Sequence, residues 1–363
     1  MGVLRFLLAT SVLWAHAKSN KYFLVDAGVA VEAFFIISGF LITMVLKEKY
    51  TGSLGFKAFI ENRFLRLLPS YYTILILIVT VSFISLYIFN NPLFLKGFLY
   101  YGNILHPSAF LFLVISNLFI LGQDLFFFLR LDTLSGHLSF TSEFLKYKPI
   151  IPDVFMINPV SWSLAPELYF YLTAFWTVKK LERIVIIFAV SFIVKLCLYF
   201  NGFNYDPWVD RFFFPAEIGF FMLGAIMYYI LIKYRTQLEN FKRIHYQLLY
   251  LTTIIVTLIY PILVKLLHTH WFYFIIIALM LPLLFINTKN NKLDKFMADL
   301  SYPIYISHFF VLTILRDLAG TNHNLPITVL IFTILISVLL IKYIERPINK
   351  IREQKIKTMQ TVK

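Results

Sequence analysis

Arg5 and His16 stand eleven positions apart in an apolar opening tract. That is about three turns at 3.6 residues per turn, so a helix sets both on one face. A guanidinium grips phosphate bidentately, and an imidazole can serve as a general base near neutral pH. Two more arginines follow at i, i+3 in Arg63-Phe-Leu-Arg66-Leu-Leu-Pro69-Ser-Tyr71, a pair suited to a polyanion such as a pyrophosphate. The same pair also fits a topology signal or a lipid headgroup contact.

Carboxylates and hydroxyls complete the set. Glu32 falls in Val29-Ala-Val-Glu32-Ala-Phe-Phe35, shortly before Ser38-Gly39-Phe40. Glu167 falls in Asn158-Pro-Val-Ser-Trp162-Ser163-Leu-Ala-Pro166-Glu167-Leu-Tyr-Phe-Tyr171. Pro166 is tolerable in a first helical turn, so Glu167 could equally be a favourable N-terminal charge. Ser301, Tyr305 and His308 recur at i, i+4, i+7 as one helical stripe, in which a histidine can be a structural hydrogen-bonder between helices. Glu345-Arg346-Pro347 reads as a structural helix terminus with an ion pair.

These groups sit in a chain of 363 residues that is 60% hydrophobic and 14% charged, with mean hydropathy +0.77. Soluble domains carry roughly 25% charge, so a polytopic, all-α membrane bundle is expected. The net charge of +14 does not imply nucleic acid, because the cations sit in short connections between apolar runs. Cys197 is alone, which leaves no disulfide framework. Ionisable groups at membrane depth are costly and persist where they pair or line a cavity. Val3 to Trp14 with Ala15-His16-Ala17 imitates a signal peptide, but the expected reading is an uncut first span with Arg5 and Lys18 snorkelling to opposite surfaces.

Ten spans are predicted, at roughly 3–22, 27–46, 70–90, 162–178, 184–201, 212–232, 247–267, 270–287, 301–318 and 325–343. The cationic connections are Lys47 to Arg66, Lys179 to Arg183, Lys233 to Arg243, Lys289 to Lys295 and the tail from Lys342. Placing all of them inside puts both termini in the cytoplasm. The interrupted stretch Phe98 to Leu121 is then re-entrant or interfacial. An eleven-span alternative would put Lys179, Lys180 and Arg183 outside. The long connection Gln123 to Pro159 is expected to rest at headgroup level over the outer mouth. Residues 1–350 form one transmembrane domain and 351–363 a basic cytoplasmic tail.

Taken in order, the motifs resemble the acyltransferase-3 family, integral membrane enzymes that O-acylate bacterial surface carbohydrates. The matching pieces are Arg5 with His16, Gly28-Val29 to Phe34-Phe35, Ser38-Gly39-Phe40-Leu41, Arg63-x-x-Arg66 with Pro69 and Tyr71, Trp162-Ser163-Leu164 with Glu167, Phe170 and Tyr171, Ser301 to His308, and Glu345-Arg346-Pro347. Glu32 departs from the aspartate common in the family, and the hydrolase-like domain that some members carry outside the membrane is not seen here, so the membrane unit is expected to act alone.

The resemblance implies an acyl-CoA donor, acetyl-CoA foremost, and a carbohydrate acceptor such as lipopolysaccharide, exopolysaccharide or capsule. Arg5, Arg63 and Arg66 are then expected to hold the donor's phosphates near the cytoplasm. His16 would be the general base, oriented by Glu32 or Glu167, with an acyl-His16 intermediate left open. Trp162, Ser163, Tyr171, Tyr305 and His308 would meet the substrate. Arg5 to His16 is about 16 Å at 1.5 Å per residue, comparable to an extended acyl-pantetheine arm, so one tunnel is expected with the imidazole and the arginines near opposite ends. No metal is implied, for want of a short ligand spacing. The rival readings are a glycolipid or polysaccharide transporter, whose route the same groups would form, and a membrane scaffold.

Overall fold

The computed structural model describes residues 1–17, 24–50, 55–142, 152–203, 208, 212–319 and 325–361. In chain order the helices are α1 (Gly2–His16), α2 (Ala27–Glu48), α3 (Phe56–Phe89), α4 (Lys96–Tyr101), α5 (Pro107–Phe119), α6 (Leu164–Thr177), α7 (Leu181–Phe200) and α8 (Phe214–Lys233). They continue as α9 (Arg235–Glu239), α10 (Arg243–Leu258), α11 (Tyr260–Leu267), α12 (Trp271–Thr288), α13 (Lys292–Ala319), α14 (Leu325–Leu340) and α15 (Arg346–Thr361). A two-stranded antiparallel hairpin, β1 (Leu129–Leu131) and β2 (Leu138–Phe140), is the one sheet among the described residues.

Helices dominate because lipid offers no hydrogen bonds to the backbone. Among the described residues seven are long and apolar enough to cross a bilayer: α2, α3, α7, α8, α12, α13, and α14 continued into α15. The pair α10 and α11 makes an eighth if counted as one span, though it bends by 72°. The chain is thus a multi-pass helical membrane protein. Each of the ten expected spans contains a helix, but α1 and α6 have only 15 and 14 residues. At 1.5 Å per residue both fall short of the ~30 Å hydrocarbon core, so ten full-length crossings are not found. The Phe98 to Leu121 stretch breaks at His106-Pro107 into α4 and the 13-residue α5. Lys18 lies outside the described residues.

Two close packings fix the centre. A Cβ on Gly39 would come within 1.9 Å of the Phe221 carbonyl, and one on Gly224 within 1.9 Å of the Ile36 carbonyl. Glycine at both positions lets the α2 and α8 backbones touch, the usual route to tight helix pairing in membranes. On the other flank α1 runs parallel to α13. The Asp294 carboxylate of α13 accepts from Gly2 N at 2.8 Å and Val3 N at 3.1 Å, capping the start of α1. Arg316 of α13 donates to the His16 carbonyl at the other end, at 3.3 Å.

Glu345-Arg346-Pro347 does not terminate a helix. A π-helical turn at Ile341–Glu345 widens the ladder, which makes room for a proline that would otherwise clash with a carbonyl one turn back. The helix therefore runs on into α15, and Glu345 accepts from Ser70 Oγ of α3 at 3.2 Å.

The long connection between α5 and α6 is drawn into the bundle rather than spread along the surface. Asn158 Nδ2 donates to the Ile306 carbonyl in the middle of α13 at 3.1 Å, and Ser161 Oγ donates to Gln123 Oε1 at 2.6 Å. Asn117 of α5 ties the same region together: its side chain donates to Phe155 O and accepts from Ile157 N, and its carbonyl accepts from Tyr71 Oη of α3. Residues 143–151 of this connection lie outside the described residues.

Candidate active site

A cavity of about 290 Å³ opens where α1, α2, α3, α6, α13 and α15 converge. Arg5, Arg63, Arg66 and Arg352 line it, against a single carboxylate, Glu167. The i, i+3 spacing on α3 aims Arg63 and Arg66 the same way, and the continuation through the π-helical turn delivers Arg352. Asn62 holds two of these guanidiniums together: its Oδ1 accepts from Arg352 Nη2 at 2.8 Å and Arg63 Nη2 at 3.1 Å. The buried Nε atoms of Arg63 and Arg352 have no hydrogen-bond partner among the described residues. Four cations facing one anion in a low-dielectric wall, two with idle donors, form a site that an anion would complete.

Midway along the cavity Glu167 Oε1 accepts from Ser38 Oγ at 2.9 Å and from Tyr171 Oη. Adjacent residues of α2 thus divide the labour: Gly39 packs on α8 while Ser38 turns to the cavity. The far end is closed by Tyr305 and Ser163, whose hydroxyls meet at 2.6 Å.

Beyond Tyr305 lies a histidine pair. His16 Nδ1 and His308 Nε2 are 2.9 Å apart, and the rings are only 11° from parallel. His308 Nδ1 is 2.7 Å from the Tyr305 carbonyl. A carbonyl can only accept, so His308 Nδ1 carries the proton. A neutral His308 then offers Nε2 as acceptor, which makes His16 Nδ1 the donor and leaves Nε2 as the basic nitrogen of His16. One backbone carbonyl thereby sets the tautomers of both rings.

The sequence-predicted residues therefore separate. Arg5, Arg63, Arg66, Glu167, Ser163, Tyr171 and Tyr305 line the cavity. His16 and His308 stand together one side chain beyond it, so the single expected tunnel is interrupted at Tyr305. Glu32 lines another cavity, with Lys195 Nζ 3.5 Å from its Oε1, while the ring that His16 Nδ1 meets is that of His308. Trp162 packs its indole on Phe127 of the long connection and on Phe212, just ahead of α8, and does not line the cavity. Sequence reasoning missed Arg352, assigned to a tail outside the domain, and Ser38, Tyr302 and Asn62. Only the position of Arg352 one turn beyond Pro347 could have hinted at it. Among the described residues no group of three or more His, Cys, Asp or Glu is arranged to hold a metal.

Curated relatives from Staphylococcus aureus strains COL and MW2, named provisionally as O-acetyltransferases, are 24% identical over 362 aligned residues, covering 91% of this chain and 54% of each relative. The chain spans about half the length of these relatives. No solved structure matches it. The family profile described as an acyltransferase domain matches residues 1–344, a range that runs from α1 past the end of α14. The chain belongs to the acyltransferase-3 family.

Proposed function

We propose that this protein is a membrane O-acyltransferase, transferring acetyl from acetyl-CoA on the cytoplasmic side to a hydroxyl of a carbohydrate on the other. The observation that carries the reading is the arginine-lined cavity ending one side chain from a histidine pair whose hydrogen bonds prepare a basic nitrogen. Both termini are read as cytoplasmic, with α1 and α6 as short spans within a ten-span topology, because the cationic connections then share one side. The membrane is read as the bacterial plasma membrane, and the acceptor as a surface polysaccharide or lipid-linked glycan.

In this mechanism the donor's phosphates rest on Arg63, Arg66 and Arg352, and Arg5 stands further along the path. The pantetheine arm occupies the apolar stretch between Leu41 and Phe34 and carries the thioester towards Tyr305. Displacing the Tyr305–Ser163 bond joins the cavity to the histidines and frees two hydroxyls to donate to the developing oxyanion. His16 Nε2 takes the acceptor's hydroxyl proton as that oxygen attacks the thioester carbonyl. The C–O bond forms and the C–S bond breaks. The departing thiolate receives the proton from His16, giving the ester and free CoA thiol. His308 acts as positioning residue, as a buried carboxylate does for the histidine of a serine protease.

Membranes carrying the protein, incubated with radiolabelled acetyl-CoA, should yield labelled carbohydrate, and His16→Ala should reduce the rate on the order of 10³-fold while inserting normally. Absence of label with the unaltered protein would favour a transporter, and unaltered labelling with His16→Ala would remove the base from this mechanism.

A further inference from the structure

The arginines of the cavity do not form one even ring. α3 runs from Asn62, which meets Arg352 of α15, to Leu67, whose carbonyl accepts from Tyr302 Oη of α13 at 2.8 Å. From Tyr302 the helix α13 continues towards His308. Arg66 therefore stands nearer the histidines than Arg63, by about 4.5 Å of helix rise. Arg63 and Arg352 make a separate pair farther from the histidines, joined through Asn62 Oδ1.

That pair is electrostatically incomplete. Its shared acceptor is a neutral amide, and Arg352 Nη1 donates to a second one, Asn349 Oδ1. Glu61, the carboxylate next to Asn62 in the chain, is taken by Lys355 of α15. Among the described residues neither guanidinium has an ion-pair partner, and each keeps a buried Nε–H without an acceptor. Two cations gathered on one neutral oxygen repel each other, and a low dielectric magnifies the repulsion. A dianion removes it and fills both idle donors. A phosphate monoester is such an ion, with close to two negative charges near neutral pH and three acceptor oxygens.

Coenzyme A carries a monoester as well as a pyrophosphate. The pyrophosphate leads into the pantetheine arm, and the monoester sits on the ribose 3′ oxygen, away from the arm. A thioester held at the histidine end brings the pyrophosphate to Arg66 and the monoester a ribose farther back, at the level of Arg63 and Arg352. Arg352 lies past residue 344, where the family profile stops, so the match assigns it nothing.

We propose that Arg63 and Arg352, held together by Asn62, form a phosphomonoester subsite that selects the donor by its ribose 3′-phosphate, with Arg66 left to the pyrophosphate. The assignment rests on the acyl-CoA reading above. Its test titrates the intact protein, in phosphatidylcholine nanodiscs, with CoA and with dephospho-CoA, which lacks only the 3′-phosphate, and reads binding by calorimetry.

CoA should bind about 30-fold more tightly than dephospho-CoA. Arg352→Gln should weaken CoA about 10-fold and keep the affinity for dephospho-CoA, which also shows that the variant is folded. Arg66→Gln should weaken both ligands alike. Equal affinity of the unaltered protein for the two ligands overturns the subsite and leaves the acyl-CoA reading standing, and this comparison needs no variant. A loss shared equally by both ligands in Arg352→Gln does the same. Phosphatidate in the nanodisc that abolishes the preference for CoA would give the subsite to a lipid headgroup and overturn its assignment to the donor. Binding of neither ligand overturns the acyl-CoA reading, and the subsite with it.

Discussion

The two cavities flanking α2 are built from the same materials and have opposite character. One gathers four guanidiniums around one carboxylate; the other sets two carboxylates and an aromatic wall around one ammonium. Neighbouring residues of a single helix serve both, because successive side chains point about 100° apart and a membrane helix can present different chemistry on each flank. The difference also lies in how charge is settled. Lys195 has two acidic partners within the protein, whereas Arg63 and Arg352 keep idle N–H groups. The cavity with idle cationic donors is the one that an anion would complete.

The sharpest way to break this comparison is to empty the cationic side. Arg63→Ala combined with Arg66→Ala should raise the KM for acetyl-CoA by roughly 10³-fold, about 4 kcal/mol, with the acceptor KM unchanged. Thermal stability should hold or rise, since like charges have been removed. A parallel loss of acceptor affinity would show that donor and acceptor share these arginines.

Next in size is the histidine pair, which in the proposed mechanism serves both ligands. His308→Leu should lower kcat on the order of 10²-fold with both KM values preserved. His308→Gln should recover part of the rate, because its carbonyl can still accept from His16 Nδ1. Equal rates for Leu and Gln would mean that His308 only fills space.

Lys195→Met probes the acidic side. It leaves two buried carboxylates without their shared cation, and the unfolding free energy should fall by about 2 kcal/mol, discounted from ~3–5 because Lys195 retains some exposure. Stability therefore falls on losing the cation here and does not fall on losing the two arginines. An unchanged melting midpoint would contradict that.

The smallest effect belongs to neither cavity. Burial pushes the Asp124 carboxyl in the long connection up to about 6, partly opposed by the hydrogen bond it accepts from Tyr169 Oη at 2.8 Å. Its raised folded value means that stability is fully present below about pH 4. As pH rises the unfolded chain ionises first, and the loss is complete above about pH 6. Asp124→Asn should flatten this dependence, worth about 1–2 kcal/mol, in melting curves taken from pH 4 to 7. A pH profile identical to that of the unaltered protein would show that Asp124 does not supply it.

Much of the arginine-lined cavity was legible in the chain. Arg5, Arg63 and Arg66 stand out because cations in apolar runs need a reason, and local helical spacing aims the latter two together. Lys195 and Glu217 carried the same signal in the middle of apolar runs and were passed over as parts of ordinary spans. The partner of His16 could not be read in advance. Its imidazole and that of His308 are 292 positions apart, and both Glu32 and Glu167 were equally plausible partners by type. Arg352 was hidden behind a proline that normally ends a helix, and the π-helical turn that carries the chain past it is a three-dimensional accommodation.

Composition and hydropathy by themselves determined that this chain is a helical membrane protein, because in lipid only helices or closed barrels satisfy the backbone. The order of motifs along the chain determined its family. Tertiary packing decided which ionisable side chains meet. The glycine contacts of α2 with α8, the pairing of α1 with α13, and the inward path of the long connection brought Glu32 to Lys195 and joined His16 to His308. The physical reason is one of range: helical periodicity governs neighbours within a turn or two, while the pairing of charges across hundreds of residues depends on how whole helices pack.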